Sequence, residues 1–261
     1  MRRFDVSLRD GLQSLQKVFT LGEKKHMLNS IMRKWKPEGM EVGSLVSEKI
    51  LPQMKDSIPL YHYARQKYPH MDFFLLVPPV EKYLTLAKKE NISNISLITS
   101  VSEAFQRRNV NQSIGQTKDI LASLPPDFQR VKLYVSCITE CPLAGKGCNH
   151  KIINDLLYYS TNKKIHEICL SDTTGTLKFT DFKYIMDHLL VENLPPNRLS
   201  LHLHQSPDMG QIIRYASGLN VKRFDVSHFS NMGGCSVTMD RGAMHGNLTY
   251  TDLSLIMRTF Q

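Results

Sequence analysis

Cysteine is scarce in this chain: five cysteines stand among 261 residues, and an odd number cannot pair completely. A disulfide-stapled secreted module has a dense, even set, so the sequence predicts free thiols in a reducing compartment. The N-terminus carries Arg2 and Arg3 but no apolar stretch of the kind that forms a secretory signal. The last residues include no retention or peroxisomal tripeptide. We therefore expect a cytoplasmic protein.

Long hydrophobic runs are also missing. No apolar run reaches the roughly 18 residues that span a bilayer, so we expect no membrane segment. Hydrophobic residues make up 41% of the chain and charged residues 22%, which argues against global disorder. No low-complexity segment or linker interrupts the sequence. We expect residues 1–261 to form a single domain with one large core.

The formal net charge is +9, but the basic residues are scattered along the chain and form no basic tail. No nucleic-acid-binding motif accompanies them, so we predict no nucleic-acid partner. An anionic small substrate is compatible with this charge, and so is a solvated basic surface. Net charge concerns solubility and electrostatic steering, and it does not by itself identify a function.

Short runs rich in valine, isoleucine, leucine and phenylalanine recur along the chain, as expected of strands buried on both faces. Amphipathic stretches separate them. No Gly-x-Gly-x-x-Gly follows the first run, which disfavours a doubly wound dinucleotide-binding sheet. Eight strand–helix pairs in this length predict an α/β fold of the (β/α)₈ type, a TIM barrel. The predicted strands are Arg3–Ser7, Gly39–Val42, Asp72–Val77, Ile95–Thr99, Lys132–Val135, Ile165–Leu170, Leu199–Leu203 and Arg223–Val226.

Polar side chains follow the predicted strands at the places where a (β/α)₈ barrel carries its function. They come after the first, second, sixth, seventh and eighth strands. In chain order the candidate site residues are Arg9, Asp10, Gln13, Glu41, Ser44, Asp172, Thr173, His202, His204, Cys235 and Asn247. Because the C-terminal ends of barrel strands meet at one face, we expect these acid, base, guanidinium and imidazole groups to meet there.

His202 and His204 are separated by one residue. On a strand, residues i and i+2 point to the same side, so both imidazoles could chelate one cation. A pair of structural histidines would show the same spacing. Asp10 adds a carboxylate, and Asn247 can add a neutral carbonyl oxygen. This oxygen- and nitrogen-donating set predicts Mg²⁺ or Mn²⁺ rather than a structural Zn²⁺.

Glu41 ends a mostly apolar strand, where a carboxylate is costly unless it is paired. Arg9, one strand away, is the predicted partner. The pair is either a structural salt bridge or part of the site, and its position at the strand ends favours the site.

Cys235 directly follows Gly233 and Gly234. Glycines permit positive φ and close backbone approach to a ligand, so a thiol on such a loop suits proton transfer as the loop closes over substrate. A Gly-rich turn with a buried cysteine is the alternative. Cys137 and Cys141 lack the zinc spacing and a second pair, so no metal site is predicted there.

The stretch Asp5–Gln13 resembles the first-strand signature of the metal-dependent lyase and acyl-transferase barrels, which include citramalate and isopropylmalate synthases. Within that group the chain resembles the 3-hydroxy-3-methylglutaryl-CoA (HMG-CoA) lyase family. The supporting stretches appear in the family's order and cover nearly the whole chain. They are Glu41–Ser47, Leu51–Met54, Phe105–Asn111, Tyr134–Cys137, Cys141-Pro142, Asp172–Gly175, His202–His204, Gly233–Cys235 and Gly246–Leu248.

The resemblance implies a role for each candidate residue. The residues that match the family's cation ligands are Asp10, His202, His204 and Asn247. Arg9 matches the residue that steadies the developing enolate oxygen of a thioester, and Glu41 matches the acid beside it. Asp172 and Cys235 match groups that move protons. The positions near substrate are Arg9, Gln13, Ser44 and Thr173.

The resemblance also implies an activity: divalent-cation-dependent cleavage of HMG-CoA, an acyl-CoA, to acetyl-CoA and acetoacetate. A related aldolase or acyl-transferase acting on another keto or hydroxy acid is an alternative. A catalytically weakened barrel that binds a ligand is another. A homodimer is a possible assembly.

Overall fold

Eight parallel strands close into a barrel in the computed structural model, which describes residues 1–235, 237–240 and 244–259. Around the barrel the strands follow the order Arg2–Asp5, Arg223–Val226, Leu199–His202, Glu167–Ser171, Arg130–Ser136, Asn94–Ser100, Asp72–Leu76 and Gly39–Ser44. The first and last strands close it, with Arg2 opposite Arg223 and Asp5 opposite Val226. Helices surround this barrel, so the predicted TIM-barrel fold is confirmed.

Each predicted strand is present, with ends that differ by a few residues. The barrel strands are β1 (Arg2–Asp5), β2 (Gly39–Ser44), β3 (Asp72–Leu76), β4 (Asn94–Ser100), β5 (Arg130–Ser136), β8 (Glu167–Ser171), β9 (Leu199–His202) and β10 (Arg223–Val226). Four residues predicted as strand ends lie outside the strands: Ser7, Val77, Ile165 and Leu203. Ser7 begins a π-helical turn, and the chain leaves the barrel wall after His202. These ends depend on turn geometry that hydrophobic patterning does not encode.

The helices pack their apolar faces against the outside of the barrel. They are α1 (Leu21–Trp35), α2 (Ser57–Lys67), α3 (Glu81–Lys89), α4 (Glu103–Val110), α5 (Ile114–Ala122), α6 (Asn149–Thr161), α7 (Phe179–Val191), α8 (Met209–Gly218) and α9 (Tyr250–Arg258). In α1, for example, Leu28 and Ile31 are fully buried, as a helical period requires. None of the helices in the described ranges combines the length and hydrophobicity needed to cross a bilayer.

Capping boxes define where three of these helices begin. Thr20 caps α1 with Glu23, and Ser113 caps α5 with Gln116. Thr249 and Asp252 form the same arrangement at α9. A capping box satisfies backbone N–H groups that the first helical turn leaves without partners. At α9 this anchors the chain two residues after Asn247.

Two further features were not predicted. A two-stranded hairpin, β6 (Glu140–Cys141) with β7 (Gly145–Lys146), follows β5. A π-helical turn, Ser7–Gly11, follows β1. Both lie at the end of the barrel that receives the C-terminal ends of the strands, which we call the mouth.

Candidate active site

A cavity of about 410 Å³ opens at the mouth of the barrel, where function collects in this fold. Three of the eleven predicted site residues are buried behind the cavity wall: Glu41, Asp172 and Asn247. Glu41 contacts Arg9, Asp172 contacts His204, and Asn247 contacts Asp10. The other eight line the cavity: Arg9, Asp10, Gln13, Ser44, Thr173, His202, His204 and Cys235. The barrel thus brings together residues that are far apart in the sequence.

Arg9 and Asp10 are presented by the π-helical turn Ser7–Gly11. Such turns are rare and frequently mark functional sites. Arg9 Nε donates to Glu41, as predicted, and Arg9 Nη1 lies 2.5 Å from Asp10 Oδ1. Burial opposes the guanidinium charge, but these two carboxylates raise the pKa of Arg9 well above its ordinary value. Arg9 is therefore a permanent cation at the mouth.

Asp10, His202 and His204 form one compact group of potential metal ligands. One ligand atom from each lies within 4.8 Å of the others, and all three residues are buried. The two imidazole centroids are 5.1 Å apart, and His202 Nε2 is 3.8 Å from Asp10 Oδ2. Burial alone would raise the pKa of Asp10, but Arg9 and the histidines hold it below its ordinary value. Asp10 therefore remains a carboxylate.

Acceptors behind the two histidines determine which ring nitrogen faces the cavity. His202 Nδ1 lies 3.1 Å from Asp225 Oδ2, and His204 Nδ1 lies 2.5 Å from the backbone oxygen of Asp172. A carboxylate and a carbonyl oxygen can only accept, so each Nδ1 carries the proton and each Nε2 presents a lone pair. Burial lowers the pKa of His204 to about 4, which keeps this ring neutral near pH 7. The His204 ring is therefore in the form that ligates a cation, and Asp225 holds the His202 ring so that Nε2 is its ligating atom.

Two buried acceptor atoms in this group have no hydrogen-bond partner among the described residues: His204 Nε2 and Asn247 Oδ1. Asn247 forms an isolated bridge with His204, and its Nδ2 donates to Asp10 Oδ2 at 2.8 Å. Buried polar atoms are rarely left unpaired in folded proteins. A divalent cation would satisfy both atoms, so this donor set fits one.

The glycine loop approaches the site as predicted. Gly233 and Gly234 have φ values of +127° and +98°, a region that side chains rarely adopt. The Gly234 N–H donates to Asp10 Oδ2 at 3.2 Å, and Gln13 Nε2 donates to the Gly234 oxygen at 2.9 Å. A side chain at Gly233 would collide with Asn247. Glycine at these positions therefore allows the loop to cover Asp10.

Cys235 places its thiol in the cavity wall, with Sγ 3.6 Å from Asn109 Oδ1. Burial raises the pKa of this thiol, so it stays protonated at neutral pH. The loop after Cys235 lies partly outside the described residues, at positions 236 and 241–243.

Asp172 has one oxygen that is fully engaged and one that is not. Its Oδ1 accepts from the backbone N–H groups of Gly175, Thr176 and Leu177 at 3.1, 3.2 and 3.3 Å. Its Oδ2 is buried without a partner in the described part of the chain. Burial raises the pKa of Asp172 to about 6, although the three N–H groups oppose the shift.

Ser44 and Thr173 line the cavity, but their recorded hydrogen bonds are made within the protein. Ser44 Oγ donates to the Leu76 oxygen at 3.0 Å, and Thr173 Oγ1 accepts from the Cys137 N–H at 2.9 Å. These bonds hold the ends of neighbouring strands together at the mouth. Contact of either residue with substrate stays a prediction.

Three buried residues at this site were missed by sequence reasoning: Lys132, Tyr134 and Asp225. Lys132 Nζ forms an ion pair with Asp225 Oδ1, and Tyr134 Oη donates to Asp225 Oδ2 at 2.9 Å. The signal was available, because Lys132 and Asp225 are charged residues inside predicted apolar strands. A buried charge requires a partner, so Lys132 and Asp225 could have been paired in the same way as Glu41 and Arg9.

Similarity to known proteins extends over nearly the whole chain. The HMGL-like family model matches residues 1–213. The chain belongs to the HMGL-like family. A cytoplasmic 3-hydroxy-3-methylglutaryl-CoA lyase of Mus musculus is 28% identical to this HMGL-like chain, over 95% of it and 71% of the mouse protein. A 3-hydroxy-3-isohexenylglutaryl-CoA/hydroxy-methylglutaryl-CoA lyase of Pseudomonas aeruginosa is 27% identical, over 98% of this chain and 84% of its own.

Solved structures agree with this family. The crystal structure of hydroxymethylglutaryl-CoA lyase from Pseudomonas aeruginosa matches with a TM-score of 0.83 at 26% identity, over 99% of this chain and 85% of that one. The structure of an HMG-CoA lyase from Acinetobacter baumannii, in complex with coenzyme A and 3-methylmalate, matches with a TM-score of 0.86 over 99% of this chain and 83% of that one. Its sequence identity to this chain is 24%, so this match supports the fold alone. The predicted family resemblance is confirmed, and the HMGL-like chain is an enzyme of the lyase class.

Proposed function

We propose that this HMGL-like protein is a divalent-cation-dependent lyase that cleaves HMG-CoA to acetyl-CoA and acetoacetate. The observation that carries the proposal is the convergence of Asp10 with the Nε2 atoms of His202 and His204, beside Arg9, in one cavity. The names of the mouse and Pseudomonas relatives support the choice of substrate.

The proposed cation ligands are Asp10, His202, His204 and Asn247. The oxygen of Asp10 supplies a negative charge, and the Nε2 atoms of His202 and His204 supply the nitrogen ligands. When bound here, Mg²⁺ or Mn²⁺ would act as a Lewis acid on substrate oxygens and would make the 3-hydroxyl group more acidic. A weakly nucleophilic amide oxygen such as that of Asn247 contributes least to such a set.

The proposed reaction breaks the C2–C3 bond of the acyl group. The 3-hydroxyl group loses its proton and becomes the ketone of acetoacetate, while the bonding pair passes to C2 as a thioester enolate. A proton then adds to C2 and gives acetyl-CoA. Arg9 offers its guanidinium N–H groups to the enolate oxygen, where a preorganised cation stabilises developing charge. Glu41 and Tyr134 keep Arg9 in place, with Arg9 Cζ 5.3 Å from the Tyr134 ring centroid.

Two groups are proposed to move the protons. Asp172 accepts a proton through Oδ2, the oxygen that has no partner among the described residues. Cys235 donates one, because burial keeps its thiol protonated and its side chain lines the cavity. Ser44, Thr173 and Gln13 are proposed to contact substrate at the cavity wall.

The decisive experiment is an assay of acetoacetate formation from HMG-CoA after chelation of the purified full chain. We expect activity to disappear and to return with Mg²⁺ or Mn²⁺. Full turnover in metal-free protein would contradict the cation requirement. Cation binding without acetoacetate from HMG-CoA, but with cleavage of another 3-hydroxyacyl-CoA, would contradict only the acyl group.

The proposal includes an acyl-CoA as the small-molecule partner and a cytoplasmic location. The mouse relative is described as cytoplasmic, and a Bos taurus relative as mitochondrial, so location is tested by fractionation of the native cell. The homodimer stays a prediction, and light scattering of the purified chain tests it.

A further inference from the structure

Three side chains from two barrel strands, β5 and β9, converge on the carboxylate of Asp225. Lys132 forms an ion pair with Oδ1, Tyr134 Oη donates to Oδ2 at 2.9 Å, and His202 Nδ1 lies 3.1 Å from the same Oδ2. All four residues are buried, with Asp225 only 2% exposed. Asp225 contacts a proposed cation ligand from behind, and the proposed reaction has so far given it no role.

The charge of Asp225 is secured from the side away from His202. Lys132 is 2% exposed, and its ammonium group also lies 3.5 Å from Glu167 Oε1 and 3.9 Å from the Phe4 ring centroid. The buried ammonium group of Lys132, paired with Asp225 Oδ1, stabilises the negative charge of this carboxyl group. Asp225 is therefore a carboxylate, and it can only accept hydrogen bonds.

An acceptor at His202 Nδ1 determines the tautomer of the ring. With its proton on Nδ1, the neutral imidazole presents the lone pair of Nε2, which lies 3.8 Å from Asp10 Oδ2. With the proton on Nε2 instead, a donor N–H would face the cation and ligation would be lost. Carboxylates behind metal-binding histidines characteristically fix this choice.

We propose that Asp225 is a positioning residue: held by Lys132 and Tyr134, it fixes His202 in the tautomer that presents Nε2 to a divalent cation. The inference rests on the cation site of the proposed function. His204 reaches the same state through the Asp172 backbone oxygen, which no substitution removes. The two histidines thus differ in that only His202 depends on a side chain that can be exchanged.

The substitution Asp225→Asn makes a sharp test because of Lys132. An ammonium group only donates, so the new amide must turn its oxygen toward Lys132. Its NH₂ group then occupies the Oδ2 position and faces His202 Nδ1, which must accept. The tyrosine hydroxyl of Tyr134 can rotate to accept as well. We therefore expect His202 to change to the Nε2–H tautomer, and the affinity for Mn²⁺ to fall by about 10–100-fold.

Glu167→Gln is the matched control. Glu167 is also a carboxylate within ion-pair distance of Lys132, but its recorded partners are Lys132 and Arg223, without His202. The control removes one negative charge from the same network. We expect its Mn²⁺ affinity to stay within about twofold of the native value and its His202 tautomer to be unchanged.

Two measurements on metal-free protein decide the matter: calorimetric titration with Mn²⁺, and ¹⁵N NMR of the histidine rings at a pH where His202 is neutral. The native protein should show His202 as the Nδ1–H tautomer, and the Nε2–H form there would overturn the inference without any variant. The inference would also be overturned if Asp225→Asn kept the native Mn²⁺ affinity and the native His202 tautomer. That result is expected if the Lys132–Asp225 ion pair is purely structural, because its loss would then lower thermal stability alone. If the native chain binds no Mn²⁺, the proposed cation dependence fails, and the tautomer measurement still tests Asp225 independently.

Discussion

The two ends of the barrel differ in how completely their polar groups are paired. At the N-terminal ends of the strands, which we call the floor, a second cavity of about 760 Å³ lies at the opposite end of the barrel from the 410 Å³ cavity at the mouth. Its charged groups pair with one another: Arg2 with Glu38, Arg130 with Asp72, and Arg223 with Glu167, at 3.9, 2.7 and 3.3 Å. At the mouth, buried oxygen or nitrogen atoms have no recorded partner in four site residues: Glu41, Asp172, His204 and Asn247.

This contrast teaches that a cavity alone does not mark the functional end of this barrel. Leaving a buried polar atom unpaired costs about 1–3 kcal/mol, so a barrel selected for stability alone would pair such atoms, as the charged groups of the floor cavity do. The mouth keeps several unpaired atoms within one cluster. An incoming ligand can satisfy them, and residues at the C-terminal ends of barrel strands are where this fold places its chemistry.

The largest effect is expected from His204→Ala, which removes one of the two unpaired atoms at the cation site. Loss of an outer partner of a ligand lowers metal affinity by about 10–100-fold, and loss of the ligand itself should lower Mn²⁺ affinity by more than this. Turnover should fall in parallel. Calorimetry and the acetoacetate assay measure this. His166→Ala is the same change at the floor, where His166 accepts from the Val131 N–H, and should leave Mn²⁺ affinity unchanged. Equal losses in both variants would remove the contrast between the two ends.

Arg9→Met should cost about 3–5 kcal/mol of unfolding free energy. It leaves Glu41, which is 0% exposed, as an uncompensated buried charge, and breaking one side of a buried pair carries a penalty of this size. Urea denaturation measures the loss. A loss below about 1 kcal/mol would show that Glu41 is not held as a charge at the mouth.

Arg9→Lys keeps the positive charge but loses the planar fork of donors. We expect kcat to fall by about 10²-fold or more, as when other oxyanion-stabilising donors are removed, with a smaller loss of stability than in Arg9→Met. Steady-state kinetics separate the possibilities. A raised KM with a normal kcat would mean that Arg9 only binds substrate.

Cys235→Ser should lower turnover by roughly 10²-fold, the low end for general acid–base catalysis, while leaving Mn²⁺ affinity nearly intact. Because burial keeps this thiol protonated, we expect it to react with an alkylating reagent slowly near pH 7 and faster at higher pH, and to be protected by an acyl-CoA. Labelling is best done in a Cys148→Ser background, since Cys148 is exposed. If no thioester changes the labelling rate of Cys235, the thiol is an inert wall residue and its catalytic role is wrong.

The smallest effect is expected at the floor. Arg2→Met breaks the Arg2–Glu38 pair, whose side chains are 63% and 49% exposed, and exposed pairs contribute about 0–1 kcal/mol. The same urea experiment used for Arg9→Met measures it. A loss as large as that of Arg9→Met would show that the floor also depends on buried charge.

Much of the fold could be predicted because its signal is local. A run such as Asp72–Leu76 is apolar enough to be recognised as a strand by itself. The hairpin Glu140–Lys146 and the π-helical turn Ser7–Gly11 were not predicted, since neither carries a hydrophobic period. Asp225 was missed although its charge inside a predicted strand was a signal, and only the folded barrel shows that its partners are Lys132, Tyr134 and His202.

The order of residues along the chain determined by itself which side chains stand at strand ends, since hydrophobic periodicity marks each strand locally. It therefore predicted the candidates Arg9, Asp10, His202 and Asn247. Closure of the barrel alone decided their contacts: Asp10 and Asn247, 237 positions apart, meet at 2.8 Å because β1 pairs with β10. Closure likewise placed Asp225 behind His202, and only that neighbour determines which ring nitrogen carries the proton. A tautomer depends on a hydrogen-bond partner in space, and no spacing in the sequence encodes it.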